Sequence, residues 1–357
     1  MRETLVRACL APSPSLSLEA ATEADWETCL AELARHRLVS YAFYVLRGSG
    51  LILCVPERYR TAMTGEYLLT LSANRRLVAA TARMIAVIAK RGVRPLVLKG
   101  IAMASCFYPD LGMRPMGDID LAVTRDEIDE AIKALAAIGF SQRPDLEGGD
   151  AVYLVSEAGV LCDLHYRLRL FEAKEHLHLT TQVESHQPEL PVITVLEPNA
   201  MVVHLVTHMD GHQDQTGPVL GWIVDLAMVL RTWGSQLDSD RIRLLMPAGR
   251  PMQLLGRLLK LLRDDLGEEV PASLMDLTDH AVPLPLAQVL RQRKLKGWGL
   301  PRARGWARLL AGTVGLPLKH SYPRLSWDDL LGMAPDAVRD ARSRRRGRRH
   351  VLATIDQ

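Results

Sequence analysis

The stretch Gly117-Asp118-Ile119-Asp120-Leu121-Ala122-Val123 alternates polar and apolar residues at its start and is apolar thereafter. This pattern predicts a β-strand. Side chains two residues apart on a strand project from the same face, so Asp118 and Asp120 point together while Ile119 and Leu121 point into the opposite layer. The stretch therefore predicts a strand that presents two carboxylates on one face.

Two carboxylates held this close repel each other, and the repulsion favours protonation of one of them unless a cation compensates the charge. Carboxylate oxygens without thiolates are the ligands that Mg²⁺ and Mn²⁺ prefer. A D-x-D sequence by itself is more often a solvated strand end and turn signal. The metal-site interpretation therefore depends on what lies nearby.

A second polar pair, Asp163 and His165, occurs in the strand-like sequence Leu161-Cys162-Asp163-Leu164-His165. If this strand lies beside the Asp118 strand, three carboxylates converge on one spot. Three carboxylates on two strands can bridge two metal ions about 3.5–4 Å apart, a geometry that serves phosphoryl or nucleotidyl transfer. Upstream, Lys99-Gly100 ends a strand and opens a helix, and such a turn offers backbone N–H groups to an anion.

The surrounding pattern predicts an α+β protein in which a small mixed β-sheet is flanked by helical regions. Before residue 90, most apolar residues recur at helical spacing. A capping box at Thr124–Glu127 opens a further helix that Gly139 ends. Strands are predicted at 95–98, 118–123, 151–155 and 160–166, the last two as a hairpin, and a short helix at 101–107. Later helices are predicted at 199–209, 219–233 and 251–264. We expect four parts: an N-terminal helical region (1–92), a catalytic core (93–195), a C-terminal helical region (196–330) and a flexible Arg-rich tail (331–357).

These features together resemble the uncharacterised nucleotidyltransferase family within the DNA polymerase beta superfamily. The likeness rests on an ordered set of features over roughly residues 20–300: the Asp25-Trp26 helix, Lys99-Gly100, Tyr108, Arg114, Gly117-Asp118-Ile119-Asp120-Leu121, the capped helix ending in Gly139-Phe140, Asp163-Leu164-His165, the His204/His208 helix and the Asp225-Leu226 helix.

The resemblance implies a nucleotidyltransferase fold in which Asp118 and Asp120 bind metal and Asp163 is the third carboxylate. Asp163 would also help to deprotonate an acceptor hydroxyl. The phosphate-binding turn of the superfamily usually reads Gly-Ser or Gly-Gly, whereas this chain has Lys99-Gly100-Ile101, so the usual hydroxyl is missing. We hypothesise that Lys99 supplies a point charge to the phosphates in its place.

Arg114 lies four residues before Asp118, in the loop that enters the acidic strand. Its guanidinium could bind phosphate oxygens and neutralise the developing pyrophosphate. Alternatively, it forms a structural ion pair with Asp110 or Asp118. The resemblance favours the phosphate role.

Three histidines follow at helical spacing: His204, His208 and His212. Gly211 is expected to end the helix before His212. Asp225 lies in a very apolar run, and a buried carboxylate without a partner is costly. We therefore expect Asp225 to contact His204 or His208, and we keep His165, His204 and His208 as alternative substrate-side residues.

Composition narrows the protein class. Hydrophobic residues make up 48% and charged residues 24% of the 357 residues, which is ordinary for globular proteins. The net charge is +3, but residues 339–350 contain seven arginines and one aspartate, so the rest of the chain carries about −3. We therefore expect no nucleic-acid partner. Five scattered cysteines, no signal peptide and no apolar stretch of membrane-spanning length indicate a cytoplasmic protein.

The sequence predicts a Mg²⁺- or Mn²⁺-dependent enzyme that moves a nucleoside monophosphate from an NTP to a hydroxyl-type acceptor and releases pyrophosphate. The acceptor can be a small molecule, a peptide or a protein. No P-loop, dinucleotide-binding or hydrolase-elbow motif occurs. Two alternatives remain: phosphoryl or glycosyl transfer to a peptide or natural product on the same fold, and a non-catalytic nucleotide-binding or antitoxin-like partner protein.

Overall fold

The computed structural model describes residues 2–11, 18, 20–147, 149–168, 179–246 and 249–292. The predicted Arg-rich tail and the last part of the predicted C-terminal helical region lie outside these residues. None of the helices in the described part combines the length and the apolar run that crossing a bilayer requires.

The N-terminal part is helical, as the spacing of its apolar residues predicts. Its helices are α1 (Arg2–Leu10), α2 (Glu23–Arg35), α3 (Val39–Gly48) and the 33-residue α4 (Glu57–Ala89), with a 3₁₀ turn at Leu51–Cys54. A capping box between Thr22 and Asp25 starts α2. Leu77, Met84 and Ile88, which lie along one stripe of α4, are buried.

A mixed five-stranded sheet follows, in the order β1-β2-β5-β4-β3. The strands are β1 (Leu96–Val97), β2 (Ile119–Ala122), β3 (Phe140–Glu147), β4 (Ala151–Ser156) and β5 (Leu161–His165). The pair β2–β5 is parallel, and the other pairs are antiparallel. Helix α5 (Lys99–Cys106) connects β1 towards β2, and α6 (Ile128–Ala136) follows β2 after the predicted capping box at Thr124 and Glu127. The prediction of an α+β protein with a small mixed sheet is confirmed.

Three strands of the structure are not among those predicted from the sequence. β3 is an edge strand of mostly polar sequence, and the backbone of β4 stabilises it where no apolar alternation marks it. A separate antiparallel hairpin is formed by β6 (Thr180–Glu184) and β7 (Val192–Leu196), and β7 lies against β1. These strands form through tertiary pairing, which a local pattern does not reveal.

The C-terminal helices are α7 (Pro198–Thr216), α8 (Leu220–Trp233), α9 (Ser239–Leu245), α10 (Arg250–Lys260) and α11 (Leu286–Gln292). A π-helical turn, Leu261–Asp265, continues α10, and 3₁₀ segments occupy Gly234–Gln236 and Ala272–Thr278. The expectation that Gly211 ends α7 is wrong. A glycine within a helix costs about 1 kcal/mol, and packing of His208 and His212 against Trp222 of α8 offsets that cost.

Helix α4 holds the loop that leads into β2. The Asn74 side-chain amide donates hydrogen bonds to the carbonyl oxygens of Leu111 (2.6 Å) and Arg114 (2.7 Å), and Tyr67 Oη donates to Asp110 Oδ1 (2.8 Å). A Cβ atom at Gly112 would lie 2.4 Å from Cε2 of Tyr67, so only glycine fits there. The N-terminal helices therefore position the loop from which the acidic strand starts.

We expect Asn74→Ala to lower the free energy of unfolding by about 1–3 kcal/mol, because it leaves two buried carbonyl groups without a donor. Ser72→Ala, at an exposed position of the same helix, is the matched control and should change stability by less than about 0.5 kcal/mol. Urea unfolding measures both. Equal stability of the two variants would show that the loop does not depend on Asn74.

Candidate functional site

Strands β2 and β5 bring the predicted acidic residues together. In their parallel register Asp120 lies opposite Asp163, and Ala122 lies opposite His165. One ligand atom each of Asp120, Asp163 and His165 lies within 4.8 Å of the other two. Asp118 precedes β2 by one residue and faces the same charges, since burial, Asp120 and Asp163 together raise its pKa to about 7.

Asp120 is the best compensated of the three carboxylates. Its side chain is almost completely buried, and its Oδ1 atom accepts a 2.6 Å hydrogen bond from Lys99 Nζ and lies 3.1 Å from His165 Nε2. Burial alone would raise the pKa of Asp120, but Lys99 and His165 outweigh burial and hold it below its usual range. Asp120 is therefore ionised and acts as the centre of the cluster.

Asp163 is less well compensated. Burial raises its pKa, and the negative charge of Asp120 adds to the effect, while Lys99 and His165 oppose it only in part. Burial and mutual repulsion thus raise the pKa of both Asp118 and Asp163, and added positive charge would lower both. Oxygen donors with unmet negative charge suit a hard divalent cation such as Mg²⁺ or Mn²⁺, so the residues present fit such an ion.

The Lys99-Gly100 turn lies directly beside these acids. Lys99 has a left-handed backbone conformation with φ 42°, and α5 begins there. A Cβ atom at Gly100 would come within 3.2 Å of Arg114 Nη1 and of Met116 Sδ. The absence of a side chain at Gly100 therefore lets the start of α5 approach the Arg114 guanidinium closely.

Arg114 forms a structural ion pair, but with a partner that the sequence analysis did not consider. Its Nε atom donates to Asp225 Oδ1 (2.7 Å) and its Nη2 atom donates to Asp225 Oδ2 (2.8 Å). Tyr108 Oη donates to the same Oδ1 atom at 2.8 Å. The pairings of Arg114 with Asp110 or Asp118 are thus wrong as structural expectations, because Asp225 of α8 takes both sides of the fork. The phosphate-binding role of Arg114 stays a prediction.

The expected contact of Asp225 with His204 or His208 is also wrong, since Arg114 and Tyr108 satisfy that carboxylate. The three histidines lie instead along one face of α7. His208 packs against His212 and Trp222 with ring centroids 4.6 and 4.9 Å apart, and His204 stacks on His208 at 6.5 Å.

The charges of Lys99 and Asp120 act on His208. Burial lowers its pKa well below the usual value, Lys99 lowers it further, and Asp120 opposes the change. His208 is therefore a neutral imidazole close to Lys99 and Asp120. His204 is buried behind it. We call the surface formed by His208, His212 and Trp222 the aromatic wall.

Sequence reasoning missed two positioning residues, Asn74 and Trp222. A polar residue within the buried stripe of α4 was the available sign for Asn74, because a buried amide needs hydrogen-bond partners. Trp222 lies three residues before Asp225, so the two share one face of α8.

We expect Asp225→Asn to destabilise the fold by about 3–5 kcal/mol, because it leaves a buried guanidinium without its counter-charge. Tyr108→Phe removes one hydrogen bond but keeps the ion pair, and it should cost about 1–2 kcal/mol. Urea unfolding of both variants checks the order. A larger loss for Tyr108→Phe would contradict the central role of the ion pair.

Comparison with known proteins places this geometry in a family. Residues 22–263 match the family described as uncharacterised nucleotidyltransferase. No curated protein matches the chain. Two solved structures of ANT(2'')-Ia, one in complex with adenylyl-2''-tobramycin and one a solution structure of this antibiotic-resistance factor, are each 14% identical to the chain. They cover 48% of this chain and 94% and 90% of their own, with TM-scores of 0.38 and 0.37, and at such scores they carry no argument about activity.

The family match spans most of the described residues, including the acidic strand pair, the Lys99-Gly100 turn and the Arg114–Asp225 ion pair. The resemblance found in the sequence is therefore confirmed, and the chain belongs to the uncharacterised nucleotidyltransferase family.

Proposed function

We propose that this protein transfers a nucleoside monophosphate from an NTP to a hydroxyl-type acceptor and releases pyrophosphate, with Mg²⁺ or Mn²⁺ held by Asp118, Asp120 and Asp163. One observation carries the proposal: the parallel register sets Asp120 opposite Asp163, and Asp118 lies two residues before Asp120. Such a concentration of negative charge favours binding of a divalent cation. The cation supplies charge neutralisation at the transferred phosphoryl group.

Asp163 is the base in this proposal. Its carboxylate lies opposite Asp120 in the parallel register, where an acceptor hydroxyl held at the cation could pass its proton to it. The acceptor oxygen attacks the α-phosphorus, and the bond from that phosphorus to the oxygen bridging to the β-phosphate breaks. The hydroxyl proton passes to Asp163, and pyrophosphate leaves with the bond electrons. Asp118 and Asp120 bind the cation together with Asp163. His165 fixes the position of Asp120 through its contact with Oδ1.

Lys99 has two roles that exclude each other. Its ammonium group lies 2.6 Å from Asp120 Oδ1 and provides the positive charge that this carboxylate needs. It can bind phosphate oxygens only when another cation compensates Asp120. Lys99 is therefore a phosphate ligand of the loaded site.

The aromatic wall supports the substrate-side assignment of His208 on α7. His208 is neutral, lies near Lys99 and Asp120, and belongs to a cluster of rings with His212 and Trp222 whose planes are tilted by 51–67° to one another. The face of an aromatic ring accepts a planar or apolar group of a substrate by stacking. We place the acceptor between the sheet and the aromatic wall. His204 is buried and stacks on His208, so it supports the wall from inside the protein.

The first test follows the phosphorus atoms. NTPs labelled at the α- or the γ-phosphate are incubated with Mg²⁺ and with fractionated small-molecule and peptide extracts. We expect transfer of the α-label to an acceptor together with pyrophosphate release. Asp118→Asn, Asp120→Asn and Asp163→Asn should each lower the rate by at least about 100-fold, because each removes a charge from the site. Asp126→Asn, at an exposed acid outside the cluster, should leave the rate unchanged.

Label that reaches an acceptor only from the γ-phosphate would show phosphoryl transfer and would eliminate nucleotidyl transfer. Unchanged metal binding and unchanged cellular function in Asp118→Ala and Asp120→Ala would instead favour the non-catalytic partner protein.

The second test concerns Lys99. Because its ammonium group competes with a metal ion for Asp120, we expect Lys99→Met to bind Mn²⁺ several-fold more tightly than the wild type and to bind NTP more weakly. Isothermal titration calorimetry measures both affinities, and circular dichroism checks the fold. Asp120→Asn is the opposite control and should lose Mn²⁺ affinity. Weaker Mn²⁺ binding by Lys99→Met would contradict the competition.

A further inference from the structure

A feature of the N-terminal helical part points to the same site. Among the described residues, two that are not glycine have a positive φ: Lys99 at 42° and Arg37 at 61°. At Arg37 the conformation has a local cause, because the turn ends α2: the Leu38 N–H donates to the Leu33 carbonyl oxygen (2.7 Å) and the Arg37 N–H donates to the Ala34 carbonyl oxygen (3.1 Å). Lys99 contacts the acidic cluster, whereas Arg37 lies far away in sequence, in the turn between α2 and α3.

The turn that carries Arg37 is fixed to helix α8. The preceding residue, His36, is completely buried, and its Nδ1 atom accepts a 3.1 Å hydrogen bond from the backbone N–H of Leu220. A Cβ atom at Gly221 would lie 3.0 Å from the His36 carbonyl oxygen, so the two backbones approach closely. Helix α8 also carries Asp225, which binds Arg114. The backbone of Arg37 is therefore held in a defined position relative to the site.

Arg37 is exposed to solvent, although nearby protein still desolvates its guanidinium in part. This surrounding protein lowers its pKa by desolvation, Asp118 acts in the opposite direction, and Arg114 lowers it further. The charge of Arg37 in turn lowers the pKa of Asp118. Arg37 therefore lies close enough to Asp118 and Arg114 for their charges to act on it.

The other two cations of the site are engaged by carboxylates. Asp120 holds Lys99, and Asp225 holds Arg114 through both sides of its fork. Within the described part of the chain, no hydrogen bond or ion pair engages the Arg37 guanidinium. The turn that ends α2 thus presents an uncommitted fork of N–H donors beside the acidic cluster.

We propose that Arg37 binds the β- and γ-phosphates of the NTP and is a positioning residue for the pyrophosphate leaving group. This inference rests on the proposed function. A guanidinium binds phosphate oxygens through two parallel N–H groups and keeps its charge at every relevant pH. The triphosphate tail is the strongly anionic part of the proposed substrates, and Arg37 adds positive charge next to the acids without a carboxylate of its own.

The test compares ligands with and without the triphosphate tail. Isothermal titration calorimetry with Mg²⁺ present uses ATP, GTP, CTP and UTP, inorganic tripolyphosphate and the four nucleoside monophosphates. We expect Arg37→Asn to weaken binding of the NTPs and of tripolyphosphate by about 10- to 100-fold, which is the range for a hydrogen bond to a charged group. Binding of the monophosphates should change less than about twofold, and Arg37→Lys should be intermediate.

Asparagine is chosen because it tolerates the left-handed conformation, so the variant should be at least as stable as the wild type. Arg47→Gln, at an exposed arginine of α3, is the matched control and should bind all ligands like the wild type.

Unchanged NTP affinity in Arg37→Asn would overturn the inference, and so would equal losses for monophosphates and triphosphates. If the wild type binds no nucleotide at all, the proposed function itself fails. Normal wild-type NTP binding that depends on Asp118 but not on Arg37 would refute the Arg37 assignment alone.

Discussion

The parallel pairing of β2 with β5 is the constraint on which the site depends. It sets Asp120 opposite Asp163, and like charges directly opposite each other on neighbouring strands destabilise a sheet. The protein offsets part of this repulsion with Lys99 and His165, both at Asp120, and leaves Asp118 and Asp163 poorly compensated. A sheet optimised for stability alone would replace at least one of these acids. Their presence is the reason for proposing a cation site at this position.

The helices outside the sheet hold the groups around these acids in place. Asn74 of α4 fixes the carbonyl groups of the loop at Leu111 and Arg114, and Asp225 of α8 fixes the Arg114 side chain. Tyr108, which follows α5, binds the same carboxylate. Residues of α4, of the segment after α5 and of α8 thus meet around Arg114. The sheet and the helices before and after it form one structure around the site.

Local patterns were enough to predict the two strands that carry the acids. The alternation at Asp118–Val123 and the second polar pair at Asp163 and His165 indicated two strands with acids on one face, and the parallel pairing brought those faces together. Contacts across long sequence separations were not predictable in this way. The partner of Arg114 lies 111 residues away, and nothing near either residue marks the pairing. The strands β3, β6 and β7 and the continuation of α7 past Gly211 likewise follow from tertiary packing.

The hydrogen bond between Lys99 and Asp120 has a thermodynamic consequence for an enzyme of this kind. While the bond is intact, the lysine is not available to an anion and the carboxylate is shielded from a cation. A ligand that breaks the bond from either side releases the other partner, so binding of a cation at Asp120 and of an anion at Lys99 would each increase the affinity for the other. The empty site would then resist either ligand alone and favour the metal–nucleotide complex, which brings both charges at once.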